Sequence, residues 1–600
     1  MFSKKKSADN YQSLEQILLA YKYLGRKRKL QLILLIILVI FASISEIIGV
    51  GALLPFMAAL VSPEKIFDSA LAKPIIQIFD LTNSYQLLKP LTILFIMATI
   101  LSGASRLLLL WFQTYLSYVI GSDFGVRMYK NILYQSYEFH ISTNSGDLIA
   151  GISRKSGDIV HHLILPSLTI LSSSFILIAI SVVMILIDFK ITTFLFLSLS
   201  AAYFLIGYIN KRYLLNYGSS VNKNANLTIR ALQEGLGGIR DVILDGFQKV
   251  YVRAYENADY QLRTSQAKIQ ILSNCPRFII ESFGICLISL LAYFLVSTES
   301  SKDVIPLLGV LALGIQRMLP VVQLIYSSWS SIKGGQQSVD EGMKLLKESG
   351  LHNQGRPIAR KSLMFNHKVE LLNVSYRYSD KSRWVLNNIS LTIKKGEKIG
   401  FFGESGSGKS TLLDLLMGLL SPKQGVIKVD GIELNESNRS SWQTRVAHVP
   451  QDVYLSDSTI YENIAFGLDM EAIDKNKVID VANKAQITST IRELSEDFKT
   501  LVGERGVRLS GGQKQRIGLA RSLYKDADFL IFDEATSALD PQTEKLVMES
   551  IDDLSKDLTI LMVAHRISTL KNCTILYEMK DGSIVRSGTY AELFQGKNNT

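Results

Sequence analysis

Long apolar runs separated by polar stretches dominate the first half of the chain. A membrane-spanning helix needs about 20 consecutive, mostly apolar residues. Six segments reach that length: 30–61, 90–120, 163–187, 191–210, 272–297 and 304–333. The polar stretches 121–162 and 211–271 join neighbouring segments without an obvious helix break. We therefore predict an all-α membrane domain over residues 30–335, with six long helices that extend into the cytoplasm.

The segment before the first span, residues 1–29, is polar and basic. Apolar side chains recur there at helical spacing from Leu14 to Leu24, ahead of the basic run at 25–29. This pattern predicts an amphipathic helix on the inner membrane surface; the alternative is a helix packed on protein. Basic residues beside the first span place the N-terminus in the cytoplasm. On the outer side, Ile76, Ile78, Phe79 and Leu81 predict a short external helix within 62–89.

The composition turns polar from about residue 334. Residues 336–365 are predicted to be a linker, and strand-like runs then alternate with helical ones over 366–600, which is typical of an α/β domain. A hydrophobic content of 48% beside a charged content of 20% agrees with a membrane half joined to a soluble half. Three widely spaced cysteines without a CxxC pair predict neither a disulfide framework nor a metal site.

The net charge of +11 raises the question of nucleic-acid binding. Lysines and arginines cluster beside apolar segments, as the positive-inside bias of membrane proteins predicts. No basic stripe interleaved with aromatic residues accompanies them. We therefore predict contact with membrane lipids and no nucleic-acid partner.

A glycine-rich loop begins the candidate chemistry of the second half. In "GFFGESGSGKSTLLDLL" the spacing of Gly403, Gly408, Lys409 and Ser410 follows an apolar strand and precedes a helix, which is the context of a phosphate-binding loop. Backbone N–H groups at the helix N-terminus bind the phosphates, Lys409 reaches the β- and γ-phosphates, and Ser410 coordinates Mg²⁺. The predicted ATP-binding residues here are Gly403, Ser405, Gly406, Ser407, Gly408, Lys409, Ser410 and Thr411.

A second motif supplies carboxylates. The apolar run 529–532 ends in Asp533, followed by Glu534. A carboxylate at a strand end near a phosphate loop holds Mg²⁺ through water, and the next carboxylate orients the attacking water as a general base. Together, the two motifs predict an ATPase with ATP and Mg²⁺ as its cofactors.

The stretch "VRLSGGQKQRIGLARSL" adds another helix N-terminus suited to an anion, at Ser510, Gly511, Gly512 and Gln513. One γ-phosphate cannot occupy two such sites in one chain, so we predict a homodimer in which this turn closes over ATP held by a second copy. With these motifs, the chain resembles the ATP-binding cassette (ABC) exporters of type I. It has the half-transporter order of six spans followed by one nucleotide-binding domain.

The resemblance implies roles for further residues. Tyr378 is expected to stack on adenine, Gln451 to sense Mg²⁺ together with Ser410 and Asp533, Asp540 to lie in the loop that crosses to the partner copy, and His565 to contact the γ-phosphate. The loops 142–151 and 233–242 are expected to contain the coupling helices; the alternative is ordinary loop.

Three arginines interrupt the apolar segments: Arg106, Arg277 and Arg317. All three are predicted in the inner half of the bilayer, where Glu46 and Glu281 are the few acids and Glu281 is a candidate partner of Arg277. The arginines either reach the inner interface or bind an anionic substrate headgroup. The membrane half also resembles, less specifically, the bacterial flippases for lipid-linked oligosaccharides.

These observations predict an ATP-driven translocase of a bacterial inner membrane, with its nucleotide-binding domain in the cytoplasm. The predicted cargo is an anionic, diphosphate-linked oligosaccharide lipid that is flipped outward. Alternatives are export of lipopolysaccharide precursors, drugs or peptides. An ATP-gated channel or nucleotide sensor tolerates loss of the hydrolytic carboxylate, and the presence of Glu534 speaks against it.

Overall fold

The fold is described from a computed structural model of the 600-residue chain. It covers residues 14–61, 63–68, 73, 76–77, 80–298, 301–347, 363–535, 540–552, 558–564 and 566–595. The chain divides into two compact units. The membrane unit comprises Met1–Gln135 and Thr143–His352, and the cassette unit comprises Ser136–Ser142 and Asn353–Thr600.

The membrane unit consists of helices. In chain order they are α1 (14–23), α2 (Arg26–Gly51), α3 (Leu53–Val61), α4 (Pro63–Phe67), α5 (Leu88–Leu133), α7 (Ser145–Ile159), α8 (Leu165–Ile187), α9 (Phe189–Gly237), α10 (Ile239–Leu244), α11 (Gln248–Thr298) and α12 (Ser301–Lys347), while α6 (Tyr137–Ser142) belongs to the cassette unit. A π-helical turn, Val160–Ile164, joins α7 to α8. The longest helices pack along one another, α9 with α11, and α12 with α8, α9 and α11.

Five continuous helical stretches are long and apolar enough to cross a membrane, counted over the described residues. They are Arg26–Leu60, Ser84–Leu133, Gly151–Ile187, Phe189–Gly237 and Gln248–Tyr293. Each overlaps one of the first five predicted spans, and two of those spans, 30–61 and 272–297, extend a few residues beyond the stretch. The sixth predicted span, 304–333, lies within α12, and most side chains at the outer end of α12 fall outside the description. The predicted fold class, a helical membrane domain followed by an α/β domain, is confirmed.

On the spanning helices, polar residues are among the buried ones and many large apolar side chains are exposed. On α2, the polar residues Ser43, Ser45 and Glu46 are buried, whereas Leu34, Ile37 and Phe41 are exposed. Exposing a polar side chain to hydrocarbon costs free energy, and these side chains therefore face the other helices. Exposed apolar side chains then form the surface that meets lipid.

The N-terminal helix α1 has two different faces. Gln16 and Ala20 are buried, and the Gln16 amide donates a hydrogen bond to Asp340 on α12. Leu14, Leu18 and Tyr21, at helical spacing, are exposed. One face therefore packs on protein, as the alternative interpretation required. The other presents apolar side chains, as a helix on the membrane surface would.

The outer connection forms a small apolar core. Ala59, Leu87 and Leu91 are buried there, and Ile76 and Leu81 pack against them. Ile78 and Phe79, predicted to belong to the same external helix, lie outside the described residues.

The boundary between the units differs from the predicted linker. Helix α12 continues past residue 336 to Lys347, and Val339, Met343 and Leu346 are buried in the membrane-unit core. On the other side, Leu363 already belongs to the core of the cassette unit. The polar composition after 334 therefore reflects a helix that has left the apolar environment before it ends.

The cassette unit is built on two sheets. Its strands are β1 (Lys368–Tyr376), β2 (Leu386–Lys394), β3 (Lys398–Phe402), β4 (Gln424–Val429), β5 (Ile432–Glu433), β6 (Val446–Val449), β7 (Phe529–Asp533), β8 (Thr559–Val563), β9 (Ile575–Lys580) and β10 (Ser583–Gly588). The antiparallel sheet has the order β2-β1-β4-β5, and the mixed sheet has the order β10-β9-β3-β8-β7-β6.

Helices connect and cover these strands. They are α13 (Lys409–Leu416), α14 (Arg439–Arg445), α15 (Ile460–Ile464), α16 (Lys475–Lys484), α17 (Thr488–Arg492), α18 (Gly511–Tyr524) and α19 (Pro541–Asp552). In the mixed sheet, β3, β8, β7 and β6 are parallel neighbours, and residues 529–532 of β7 are fully buried, as a strand covered on both faces requires.

One helix crossing in the membrane unit depends on glycine. A Cβ atom on Gly218 of α9 would lie 2.1 Å from the carbonyl oxygen of Gly334 on α12. A Cβ atom on Gly334 would in turn meet Ile269 of α11 at 3.2 Å. Three helices therefore approach closely at this point, where small residues permit backbone contact.

We expect Gly218→Ala to destabilise the membrane unit by roughly 1–3 kcal/mol, because the added methyl group meets backbone that cannot move without separating α9 from α12. Thermal unfolding in detergent measures the loss. The matched control is Gly207→Ala on the same helix, where the new Cβ atom would lie 3.8 Å from Trp329 and Tyr326, an ordinary contact. Equal melting temperatures for the two variants would contradict the role assigned to this crossing.

Candidate functional site

The carboxyl ends of four parallel strands meet at one edge of the mixed sheet. Strand β3 leads into Gly403, β7 ends at Asp533, and β6 ends two residues before Gln451. Strand β8, between β3 and β7, ends two residues before His565, which lies outside the described residues. The topology therefore brings the predicted phosphate loop and carboxylates to the same edge.

The phosphate loop needs glycine at two positions for different reasons. Gly408 has φ +95° and precedes α13 directly. At Gly403, with φ +151°, a Cβ atom would lie 2.1 Å from the carbonyl oxygen of Met579 on the neighbouring strand. The loop thus wraps tightly between β3 and α13. Its N–H groups and the N-terminus of α13 favour an anion.

Lys409 is held over this loop. Its Nζ donates hydrogen bonds to the carbonyl oxygens of Gly403 and Glu404, both at 2.8 Å, and to Ser407 Oγ at 3.3 Å. Burial lowers the pKa of Lys409, while the carboxylates of Glu534 and Asp533 oppose that shift. The ammonium group therefore lies close to both carboxylates at the sheet edge.

The carboxylates occupy distinct environments. Burial, with the neighbouring Glu534 charge second, raises the pKa of Asp533 at the end of β7. Glu534 has φ +51°, and its backbone N–H donates to the carbonyl oxygen of Val563 at 2.9 Å. Its Oε2 accepts a hydrogen bond from Gln451 Nε2 at 2.8 Å. The left-handed backbone turns the Glu534 side chain away from the strand direction, toward Gln451.

The side chains at this edge fit Mg²⁺. Ser410 offers a hydroxyl, Asp533 a carboxylate and Gln451 an amide oxygen, because its amide nitrogen faces Glu534. Hard oxygen donors of this kind, few in number and supplemented by water and phosphate, are what Mg²⁺ prefers.

Two further predicted site residues are described: Tyr378 lies beside α13, and Asp540 directly precedes α19. Tyr378 is partly exposed, and its hydroxyl lies 3.0 Å from Thr411 Oγ1 on α13. Asp540 accepts a hydrogen bond from the Thr543 backbone N–H at 3.0 Å. The Thr543 side chain, and after it this backbone hydrogen bond, lower the pKa of Asp540. Residues 537–539, predicted to precede it in the crossing loop, lie outside the described residues.

The predicted second anion-binding turn does open a helix. Ser510 caps α18 through a reciprocal pair of hydrogen bonds, in which Ser510 Oγ accepts from the Gln513 N–H and Gln513 Oε1 accepts from the Ser510 N–H. Arg521, on the same helix, donates to the carbonyl oxygens of Asn463 and Tyr454. Arg521 is half-buried and ties α18 to the segment after Gln451, a role that no local sequence pattern indicates.

A short piece of the first half packs within the cassette unit. Residues Ser136–Ser142, which contain α6, belong to it. Glu138 accepts a hydrogen bond from the Tyr376 hydroxyl at 3.0 Å and pairs with Lys423 at 3.2 Å. Burial and the Glu138 charge raise the pKa of Tyr376. The predicted coupling loop 142–151 begins at the last residue of this helix. From residue 145 onward it is helical, because residues 145–159 form α7.

The intramembrane arginines form a different arrangement from the expected one. Arg106 on α5 and Arg317 on α12 both contact Glu46 on α2, so they are not unpaired. Arg106 Nε donates to Glu46 Oε2 at 2.9 Å, its Nη2 contacts Oε1, and Arg317 Nη1 donates to Oε1 at 2.9 Å. Ser102 Oγ donates to Oε2. Because both guanidinium groups contact Oε1, they lie side by side.

Arg277 lies apart from this cluster. It is exposed on α11 and makes no ion pair with Glu46 or with Glu281, all three residues being described. The suggested pairing of Arg277 with Glu281 is therefore wrong. The i, i+4 spacing alone did not bring the two side chains together.

Asp414 carries an unanticipated burial penalty. It lies on α13, and burial together with the Asp533 charge raises its pKa to about 6 from an ordinary value of 3.8. A raised carboxyl pKa means that the ionised form destabilises the folded protein. The penalty is absent below pH 3.8, grows as the pH rises, and is complete above about pH 6.

We therefore expect Asp414→Asn to raise the melting temperature of the nucleotide-free protein in EDTA, by more at pH 8 than at pH 5. Differential scanning fluorimetry at the two pH values measures the effect. Glu471→Gln, which removes an exposed carboxylate, is the control and should change the melting temperature little at either pH. A gain for Asp414→Asn that is larger at pH 5 would show that the sign of the assigned penalty is wrong.

Comparison with known families agrees with this geometry. The profile of the ABC transporter transmembrane region matches residues 30–311, and the ABC transporter profile matches residues 386–537. The chain is 27% identical to an ATP-dependent lipid A-core flippase of Coxiella burnetii, over 87% of this chain and 88% of that protein. It is 32% identical to the heterocyst differentiation ATP-binding protein HepA of Nostoc sp., over 64% of this chain and 63% of that protein.

Among solved structures, a bacterial Atm1-family ABC exporter with ATP bound superimposes with a TM-score of 0.76 at 22% identity, covering 95% of this chain and 96% of that one. The likeness shows the exporter fold. Two consecutive family profiles, one over the spanning helices and one over the sheet edge that holds Lys409 and Asp533, account for both halves. The chain belongs to the ABC transporter family, has the exporter fold, and hydrolyses ATP in its nucleotide-binding domain to drive transport.

Proposed function

We propose that this exporter flips an anionic glycolipid, a saccharide linked to its lipid through a diphosphate, outward across a bacterial inner membrane. The observation that carries the proposal is the pair of arginines on Glu46. Two guanidinium groups share one carboxylate, so the cluster of Arg106, Arg317 and Glu46 keeps one net positive charge within the membrane unit.

The arginines also keep donors for a ligand. The Arg106 and Arg317 side chains are 37% and 28% exposed, whereas Glu46 is 0% exposed. Arg106 Nη1 and Arg317 Nε and Nη2 make no contact with Glu46. Planar guanidinium groups bind phosphate oxygens in pairs, and a phosphate at this position would leave the lipid tails in the membrane.

A second cargo is favoured by relatives. The proteins of Coxiella burnetii and Pseudoalteromonas translucida, the latter 29% identical, are named lipid A-core flippases. Such glycolipids also carry phosphate, so the arginine pair accommodates either cargo. Aromatic drug-like molecules without an anionic group would leave the positive charge uncompensated, and they are disfavoured.

The motor is proposed to be a homodimer that uses ATP and Mg²⁺. Lys409 would bind the β- and γ-phosphates, Ser410, Gln451 and Asp533 would hold Mg²⁺, and Glu534 would activate the attacking water. The capped turn at Ser510 would close over ATP bound by a second copy, and His565 would contact the γ-phosphate. Closure of the two cassettes would open the membrane cavity outward, and hydrolysis would reset it.

We expect the double variant Arg106→Ala/Arg317→Ala to lose the stimulation of ATPase activity by a polyprenyl diphosphate saccharide, and to lose flipping of that lipid in liposomes. The reason is that no other cations of the cluster remain to bind the headgroup. ATPase activity without lipid should persist, because the cassette residues are unchanged. Phosphate-release and flipping assays with reconstituted protein measure both.

The control is Arg253→Gln, which removes an exposed arginine of α11 outside the cluster and should be stimulated like the wild type. Parallel liposomes with lipid A-core distinguish the two cargoes, since stimulation by that lipid alone would support the second one. Unchanged stimulation of the double arginine variant by both lipids would overturn the cargo proposal and leave the ATPase intact.

A further inference from the structure

Glu46 is the one residue that organises the intramembrane cluster. Its Oε1 contacts Arg106 Nη2 and Arg317 Nη1, and its Oε2 accepts from Arg106 Nε and Ser102 Oγ. Every contact comes from a neighbouring helix, α5 or α12, onto α2. Oε2 therefore has two hydrogen-bond donors, and Oε1 has one donor and one ion-pair contact. Partners of this kind are the condition under which an ion is tolerated away from water.

Space for this arrangement comes from the next turn of α2. A Cβ atom on Gly49 would lie 3.3 Å from Ser102 Cβ and 3.5 Å from Arg317 Nη1. The guanidinium of Arg317 thus passes directly over the glycine backbone to reach Glu46.

The charged groups of the cluster differ in exposure. Glu46 is fully buried, whereas the side chains of Arg106 and Arg317 are partly exposed. A carboxylate and a phosphate both accept hydrogen bonds from guanidinium groups. Glu46 therefore occupies donors that the anion of the ligand would otherwise use. A phosphate that binds must share the arginines with it.

From this geometry we infer that Glu46 is a positioning and specificity-determining residue, which aligns the two arginines and limits how tightly they hold the cargo's anion. The inference rests on the proposed function and deepens it. With Glu46 ionised, the site offers a net charge of +1. Without that charge it would offer +2 in a medium of low dielectric, where a diphosphate would be held too firmly to leave.

The test uses Glu46→Gln in the full-length protein reconstituted in liposomes with a polyprenyl monophosphate or the matching polyprenyl diphosphate. The half-saturating diphosphate concentration for ATPase stimulation should fall by roughly tenfold or more, which corresponds to about 1.4 kcal/mol. The preference for diphosphate over monophosphate should increase. The maximal flipping rate should fall, because release becomes slower.

Two companion variants separate charge from fold. Glu46→Gln/Arg317→Gln restores a net charge of +1, so its half-saturating concentration should rise again above that of Glu46→Gln. Glu46→Asp keeps the charge on a shorter side chain that reaches the arginines less well. Its half-saturating concentration should lie between those of the wild type and Glu46→Gln, which keeps the inference testable even if Glu46→Gln does not fold.

The experiments distinguish failure of the inference about Glu46 from failure of the proposed function. If Arg106→Ala/Arg317→Ala responds to both lipids like the wild type, the proposed function and this inference fail together. If stimulation requires the arginines, but the Glu46 variants show wild-type half-saturating concentrations and an unchanged lipid preference, the proposed function stands. The role of Glu46 would then be structural only, and the inference would be overturned.

Discussion

The carboxylate of Glu46 is completely buried among membrane-spanning helices, where an ion is costly unless charged donors surround it. Arg106 on α5 and Arg317 on α12 supply these donors. Three helices that are distant in sequence therefore meet at the two carboxylate oxygens of Glu46. The same constraint explains the burial pattern of the membrane unit, in which serine and glutamate side chains turn inward and isoleucine and leucine side chains face out. Because two arginines share one carboxylate, the cluster also keeps one net positive charge, and the arginines are more exposed than Glu46. This charge makes the membrane unit suited to an anionic ligand.

The cassette unit meets a different constraint. Parallel strands deliver the phosphate loop, Asp533, Glu534 and Gln451 to one edge, and Lys409 lies among their charges. Packing of Ser136–Ser142 in the same unit, through Glu138, gives the chain that follows α5 a direct attachment to the domain that hydrolyses ATP.

The phosphate loop, the helix cap and the membrane spans could be predicted because each is specified by residues that are close together in the sequence. Gly403 to Ser410 specify their loop within eight residues, Ser510 and Gln513 specify a helix cap, and apolar length specifies the spans. The partner of the arginines could not be predicted, since Glu46 lies 60 residues from Arg106 and 271 from Arg317, and no local pattern joins them. The raised pKa of Asp414 depends on its burial and on the charge of Asp533, which is distant in the sequence. The end of α12 depends on packing by Val339 and Met343, which the polar composition does not reveal.

The most direct measurement is native mass spectrometry of protein purified from its own membrane in mild detergent, comparing the wild type with Arg106→Gln/Arg317→Gln. If an anionic headgroup sits on the arginine pair, a phosphate-bearing glycolipid should remain bound to the wild-type assembly and be absent from the variant. Ordinary phospholipids should be retained by both. Equal retention of the phosphate-bearing glycolipid by the two proteins, or retention of neutral lipids alone by the wild type, would contradict the account.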